Sequence, residues 1–212
     1  MLKIVLALIV IQLLRAIFMG ALWFGVQHSP NDLVVFQIFN GMSLIIVGMI
    51  LLLYFKPSLK DLSLNWGDIK PKTRNLYILG ISVLVAMALI PYTFAWETDV
   101  LVMGIVFGIL TPAFEEFLFR GYIWNRIQES VEMVNPGFIT WFTVTVLFSL
   151  WHLGYIDVFL IHPMALTNIP MILLSKMIIG LVLGTIVGLL RLKTGKTYTS
   201  FIFHGFWNVF AP

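Results

Sequence analysis

Leu33-Val-Val-Phe-Gln-Ile-Phe-Asn-Gly-Met-Ser-Leu-Ile-Ile-Val-Gly-Met-Ile-Leu-Leu-Leu-Tyr-Phe55 contains no charged residue. A helix needs ~20 apolar residues to cross the hydrocarbon core of a bilayer, so this stretch reads as a membrane span. Working outward, similar segments run from about Ile4 to Phe24, Leu76 to Trp96, Val100 to Phe119, Gly137 to Leu153 and Ile169 to Leu190. A short last one runs from about Tyr198 to Phe210. The first has Lys3 before it but no convincing small-x-small cleavage site, so it reads as a retained span. Arg15 interrupts it and is expected to face the bundle interior.

Composition agrees. Hydrophobic residues make up 60% and charged residues 11%, against about 25% charged in soluble proteins, and mean hydropathy is +0.99. A soluble domain of 212 residues could not hide that much apolar surface. A disordered tail and a disulfide-stapled module are excluded. So is a nucleic-acid binder, because the pI near 9.2 reflects a net charge of only +3 spread over loops. No cysteine is present, which removes disulfides, thiolate metal sites and a Cys nucleophile. The expected fold is all-α, a polytopic transmembrane bundle of about seven spans in one domain, 1–212. A weak helix within 155–168 would make eight. Gly121 to Asn135 reads as a short interfacial helix, and 155–168 as a re-entrant or surface loop.

Loop charges alternate. Lys56, Lys60, Lys70, Lys72 and Arg74 separate spans two and three, Arg126 follows span four, and Arg191, Lys193 and Lys196 separate spans six and seven. The other loops carry Asp32, then Glu97 and Asp99, then Asp157, without Lys or Arg. By the positive-inside rule the N-terminus is cytoplasmic, and seven spans would leave the C-terminus outside.

Charges and imidazoles inside spans are costly and point to function. In Thr111-Pro-Ala-Phe-Glu-Glu-Phe-Leu-Phe-Arg120 two adjacent carboxylates follow a proline. Neighbouring helical residues point ~100° apart, so Glu115 and Glu116 diverge. Glu116 and Arg120 are four apart, in the favoured order for an ion pair. That leaves Glu115 without a local partner, as a candidate base. Phe148-Ser-Leu-Trp-His152 carries an imidazole in span five, and His204-Gly-Phe-Trp-Asn208 puts His204 and Asn208 on one face of span seven. Gly205 lets another helix approach there. Interfacial charge clustering and interhelical hydrogen bonding would account for each motif alone. Together, a carboxylate, two imidazoles and an amide can activate water and stabilise an oxyanion. Two His and one Glu can equally bind zinc, and spacing does not choose between these. By counting, Glu115 lies about five residues from the inner end of span four and His152 about fifteen into span five, a depth difference of ~15 Å.

At these residues the chain resembles the CPBP (Abi) intramembrane proteases, the group that includes the type II CAAX prenyl endopeptidases. The family pattern Glu-Glu-x-x-x-Arg, Phe-x-x-x-His, His-x-x-x-Asn reads here as Glu115-Glu116 to Arg120, Phe148 to His152 and His204 to Asn208. The match covers about Leu101 to Asn208, which would be the protease core. The resemblance implies a membrane endopeptidase cutting a membrane-associated protein or peptide near the cytoplasmic side. Glu115 would be the water-activating base and His152 would hold or polarise that water. His204 and Asn208 would form the oxyanion site, among spans four, five and seven. Glu116 and Arg120 would brace the helix, and Phe148 would pack behind the site. A metal-free mechanism is favoured; if zinc is used, Glu115, His152 and His204 would bind it. The resemblance also implies a prokaryotic cell membrane, where members are associated with bacteriocin immunity or with maturation of exported peptides. Two other readings stay open: a non-catalytic immunity or binding protein of the same fold, and a small transporter, although no internal repeat supports the latter.

Overall fold

The computed structural model describes residues 1–29, 32–131, 135–163 and 167–210. Among these there is no strand, and seven helices build the molecule. They are α1 (Leu2–Gly25), α2 (Leu33–Phe55), α3 (Pro71–Ala95), α4 (Thr98–Ser130), α5 (Pro136–Leu160), α6 (Ile169–Thr194) and α7 (Thr197–Phe210). The first six are long and apolar enough to cross a membrane. The seventh has 14 residues, about 21 Å at 1.5 Å per residue. The protein is therefore an all-α, polytopic integral membrane protein.

Local chemistry sets the helix ends. Asp32 caps α2 by accepting from the Val35 N–H at 3.0 Å, which satisfies one of the free donors of a helix start. Pro71 and Pro136 begin α3 and α5, where a missing N–H costs nothing. Gly195, at φ 69°, ends α6 in the left-handed region that glycine enters freely. The outward faces carry exposed Leu13, Ile17, Met49, Leu53, Ile78 and Ile178, apolar surface that contacts lipid in a bilayer.

The buried centre lies among α4, α5 and α6, where Phe119, Trp124, Ile127, Val144, Phe148, Trp151, Leu183 and Val187 pack together. Close approach of α5 and α6 depends on Gly180, Gly184 and Gly188, spaced four apart on α6. A Cβ on these would come within 2.8 Å of His152, 3.1 Å of Phe148 and 2.7 Å of Trp141 respectively. Small residues at this period let membrane helices touch.

Two expectations need correction. Gly121–Asn135 does not start a separate interfacial helix: α4 runs on through Arg120 to Ser130, with Arg120, Gly121, Ile123, Trp124 and Ile127 buried. Arg120, which looked like an exit from the membrane, is buried and paired with Glu116, while Arg126 and Glu129 one to two turns later are exposed. Helix α5 likewise extends past Leu153, through a 3-10 turn at His152–Tyr155, to Leu160. No further span occurs among the described residues of 155–168. Residues 132–134 and 164–166 lie outside the described residues.

Candidate active site

Helix α4 is irregular where it carries the acidic pair. Two π-helical segments, Val106–Leu110 and Phe117–Ile123, flank the α-helical Thr111–Glu116. The Thr111 N–H bonds to the Val106 carbonyl, five residues back. In that register the next amide would serve the Phe107 carbonyl, but residue 112 is proline and has none. The Asn208 side-chain amide takes the open position, donating to the Phe107 carbonyl at 2.9 Å. Gly205 lets α7 come this close: a Cβ there would lie 2.8 Å from the Gly108 carbonyl oxygen.

The second π segment also leaves a carbonyl for a side chain. Arg191 Nε donates to the Arg120 carbonyl at 2.8 Å, and Arg191 Nη2 donates to Ser63 Oγ at 2.7 Å. This ties α6 and the 56–70 loop to α4.

Glu115 and Glu116 diverge as expected, and His204 lies between them. Arg120 Nη1 donates to Glu116 Oε1 at 3.2 Å, and His204 Nδ1 lies 2.9 Å from the same oxygen. His204 Nε2 is 3.8 Å from Glu115 Oε2. Glu115, Glu116, Arg120 and His204 are each no more than 2% exposed. Glu116 thus does more than brace its helix, since it also orients His204.

Glu115 is not without partners. The Tyr155 hydroxyl donates to its Oε1 at 2.7 Å and Trp151 Nε1 donates at 3.1 Å. These neutral donors occupy Oε1 and leave Oε2 facing His204. Sequence reasoning missed both residues. The signal was their spacing: Trp151 and Tyr155 are four apart, next to His152.

The turn that carries them is held from α1. A 3-10 turn leaves carbonyls without their α-helical donors. Gln12 Nε2 donates to the Trp151 carbonyl at 3.0 Å, and Arg15 Nη2 donates to the Gly154 carbonyl at 2.9 Å. Arg15 also pairs with Asp157 and sits 4.6 Å over the Tyr155 ring. It does face the interior, fully buried.

His152 Nδ1 lies 2.9 Å from the Phe148 carbonyl. With Nδ1 as donor, Nε2 keeps its lone pair. Phe148 is fully buried behind the site. The Arg120 guanidinium carbon is 4.1 Å from its ring, and the His152 and His204 rings meet it edge-on at 5.0 and 5.9 Å.

The expected residues therefore meet. Glu115, His152, His204 and Asn208 line one cavity of about 290 Å³, together with Tyr155 and Lys176. A larger groove of about 480 Å³ lies between α1, α2 and α4, but its lining is almost wholly apolar and holds no Glu or His. The depth mismatch expected between Glu115 and His152 disappears. Glu115 lies fifteen residues before Ser130 and His152 sixteen after Pro136, so both sit at a similar depth from the end of the bundle where α4 meets α5. The mismatch came from ending span four at Phe119.

A zinc ion would need at least three ligands at about 2.0–2.2 Å. Among the described residues no three His, Asp or Glu side chains converge as a metal-binding group. Glu115, His152 and His204 do not fit a zinc site as placed.

A family model described as type II CAAX prenyl endopeptidase Rce1-like matches residues 97–210. The match spans α4 to α7 and contains all three motifs. No curated protein and no solved structure matches the chain.

Proposed function

Because the chain belongs to the Rce1-like family of type II CAAX prenyl endopeptidases, a family of membrane peptidases, we propose that it hydrolyses a peptide bond of a membrane-associated protein or peptide with a glutamate-activated water. The observation that carries this is Glu115 Oε2 facing His204 Nε2 at 3.8 Å on the cavity wall. This oxygen accepts no hydrogen bond from Tyr155 or Trp151, which both hold Oε1.

In this reading Glu115 Oε2 takes a proton from a water that His152 Nε2 helps to hold. The water oxygen bonds to the scissile carbonyl carbon. Negative charge develops on the carbonyl oxygen, where His204 and Asn208 stabilise it. As an imidazolium, His204 donates Nδ1–H to Glu116 and Nε2–H to the oxyanion. One amide hydrogen of Asn208 is anchored on Phe107 and the other is available to the same oxyanion. Fixed donors of this kind are worth about 10²–10³ in rate each. The C–N bond then breaks, and the proton on Glu115 passes to the departing nitrogen. The products are an amine and a carboxylic acid, which ionises. Glu116, Arg120 and Phe148 hold His204 in place without touching substrate.

Basic loops at one end of the bundle support a cytoplasmic N-terminus, and the proposed setting is a prokaryotic cell membrane. The cleavage site would then be in mid-membrane, deeper than the cytoplasmic boundary. Exported peptides, including bacteriocins, are candidate substrates.

Mass spectrometry of membrane-associated peptides from cells carrying wild-type protein or Glu115→Ala tests the reading. Products present only with wild type are expected, and identical peptide sets would overturn it. Activity is expected to survive chelation. Stoichiometric zinc in the purified protein, with activity lost on its removal, would overturn the metal-free step.

A further inference from the structure

We propose that Gln37 and Asn40 of α2 form the peptide-binding edge of the cleft, their side-chain oxygens accepting backbone N–H groups of an extended substrate. This rests on the proteolytic reading and names what holds the substrate there.

Both residues line the cavity that contains Glu115, His152, His204 and Asn208. They are 6% and 5% exposed. Gln37 Oε1 and Asn40 Oδ1 have no hydrogen-bond partner, a costly state for buried amide oxygens. The Thr111 hydroxyl, on the same cavity, is also unpartnered. The larger apolar groove has no such atom in its lining. Three of the eight unpartnered buried side-chain atoms among the described residues thus face the proposed cleft.

Their chemistry matches a peptide. Residues three apart share a helix face. Same-edge N–H groups of an extended chain recur at ~6.6–6.8 Å. Asn40 and the longer Gln37 side chain can span that interval from neighbouring turns. The catalytic wall supplies donors, His204 and Asn208, for a substrate carbonyl, while α2 supplies acceptors for substrate N–H groups. A bare hydrocarbon chain has no donor to offer them, whereas a peptide backbone offers one at every residue except proline.

The test uses a synthetic peptide spanning a bond that wild-type protein cuts and Glu115→Ala leaves intact. In Gln37→Leu and Asn40→Leu, KM is expected to rise about tenfold, the scale of one buried hydrogen bond, with kcat within about twofold. N-methylation of the peptide, one nitrogen at a time, should raise KM about tenfold on wild type at two positions. Each effect should vanish in the matching leucine variant. Unchanged KM in both variants, or N-methyl effects that simply add to the variants' own, would overturn the proposal while leaving proteolysis intact. If the leucine variants do not insert, the wild-type scan still decides: no sensitive nitrogen outside the scissile bond overturns it. If wild type cuts no peptide, the proteolytic reading fails and takes this inference with it.

Discussion

Nδ1 of His204 lies 2.9 Å from Oε1 of Glu116, so one carboxylate of the adjacent pair orients the ring that faces the other. Glu116 serves two buried cationic or hydrogen-bonding partners, whereas Glu115 is held by two neutral donors. Removing one partner of a buried pair costs about 3–5 kcal/mol. Glu116→Ala should therefore lower the melting temperature in detergent well below that of Glu115→Ala. Equal melting temperatures would refute the division between a structural and a catalytic carboxylate.

Tyr155→Phe removes the 2.7 Å donor from Glu115 Oε1 and keeps the ring under Arg15. The carboxylate then has Trp151 alone to fix its orientation. A hydrogen bond to a charged group is worth about 1.5–3 kcal/mol, so kcat should fall roughly ten- to a hundredfold. A rate equal to wild type would show that Trp151 suffices.

Arg15 and Asp157 form a pair buried on the arginine side and 22% exposed on the aspartate side. Arg15→Met strands Asp157 and frees the turn that carries Tyr155. A loss of about 3 kcal/mol is expected. Adding Asp157→Leu should recover much of it, because removing both charges removes the penalty. Additive losses in this double-mutant cycle would mean the two residues are not coupled.

The absence of cysteine makes side-specific labelling direct. Phe159 lines the catalytic cavity near the end of α5, and Asp68, 76% exposed, belongs to the basic end. Phe159→Cys should react with an impermeant maleimide on intact cells, and Asp68→Cys only after lysis. The reverse pattern would invert the orientation drawn from loop charge.

Much of this was legible because charge is so scarce. The bounds of α2 follow directly from its uncharged run, and Glu115, Glu116, Arg120, His152, His204 and Asn208 stand out as polar residues that a bilayer would reject singly. Less visible was the continuation of α4. Arg120 looked like a residue at the membrane surface, yet it is fully buried because Glu116 neutralises it and Phe148 covers it. Tyr155 and Trp151 were hidden by composition, since aromatics make up 15% of the chain and none announces a hydrogen bond. The Gly180, Gly184 and Gly188 row was readable as a helix-contact stripe, but only the structure assigns His152 and Phe148 to it.

Pro112 sets stability against function. An alanine there would restore an amide able to reach the Phe107 carbonyl and would make α4 a better helix taken alone. It would also compete with Asn208 for its anchor, releasing a side chain 96 positions away. A backbone defect in one helix thus fixes a donor on another, and repairing the defect would leave the protein sturdier and its cleft less well aimed.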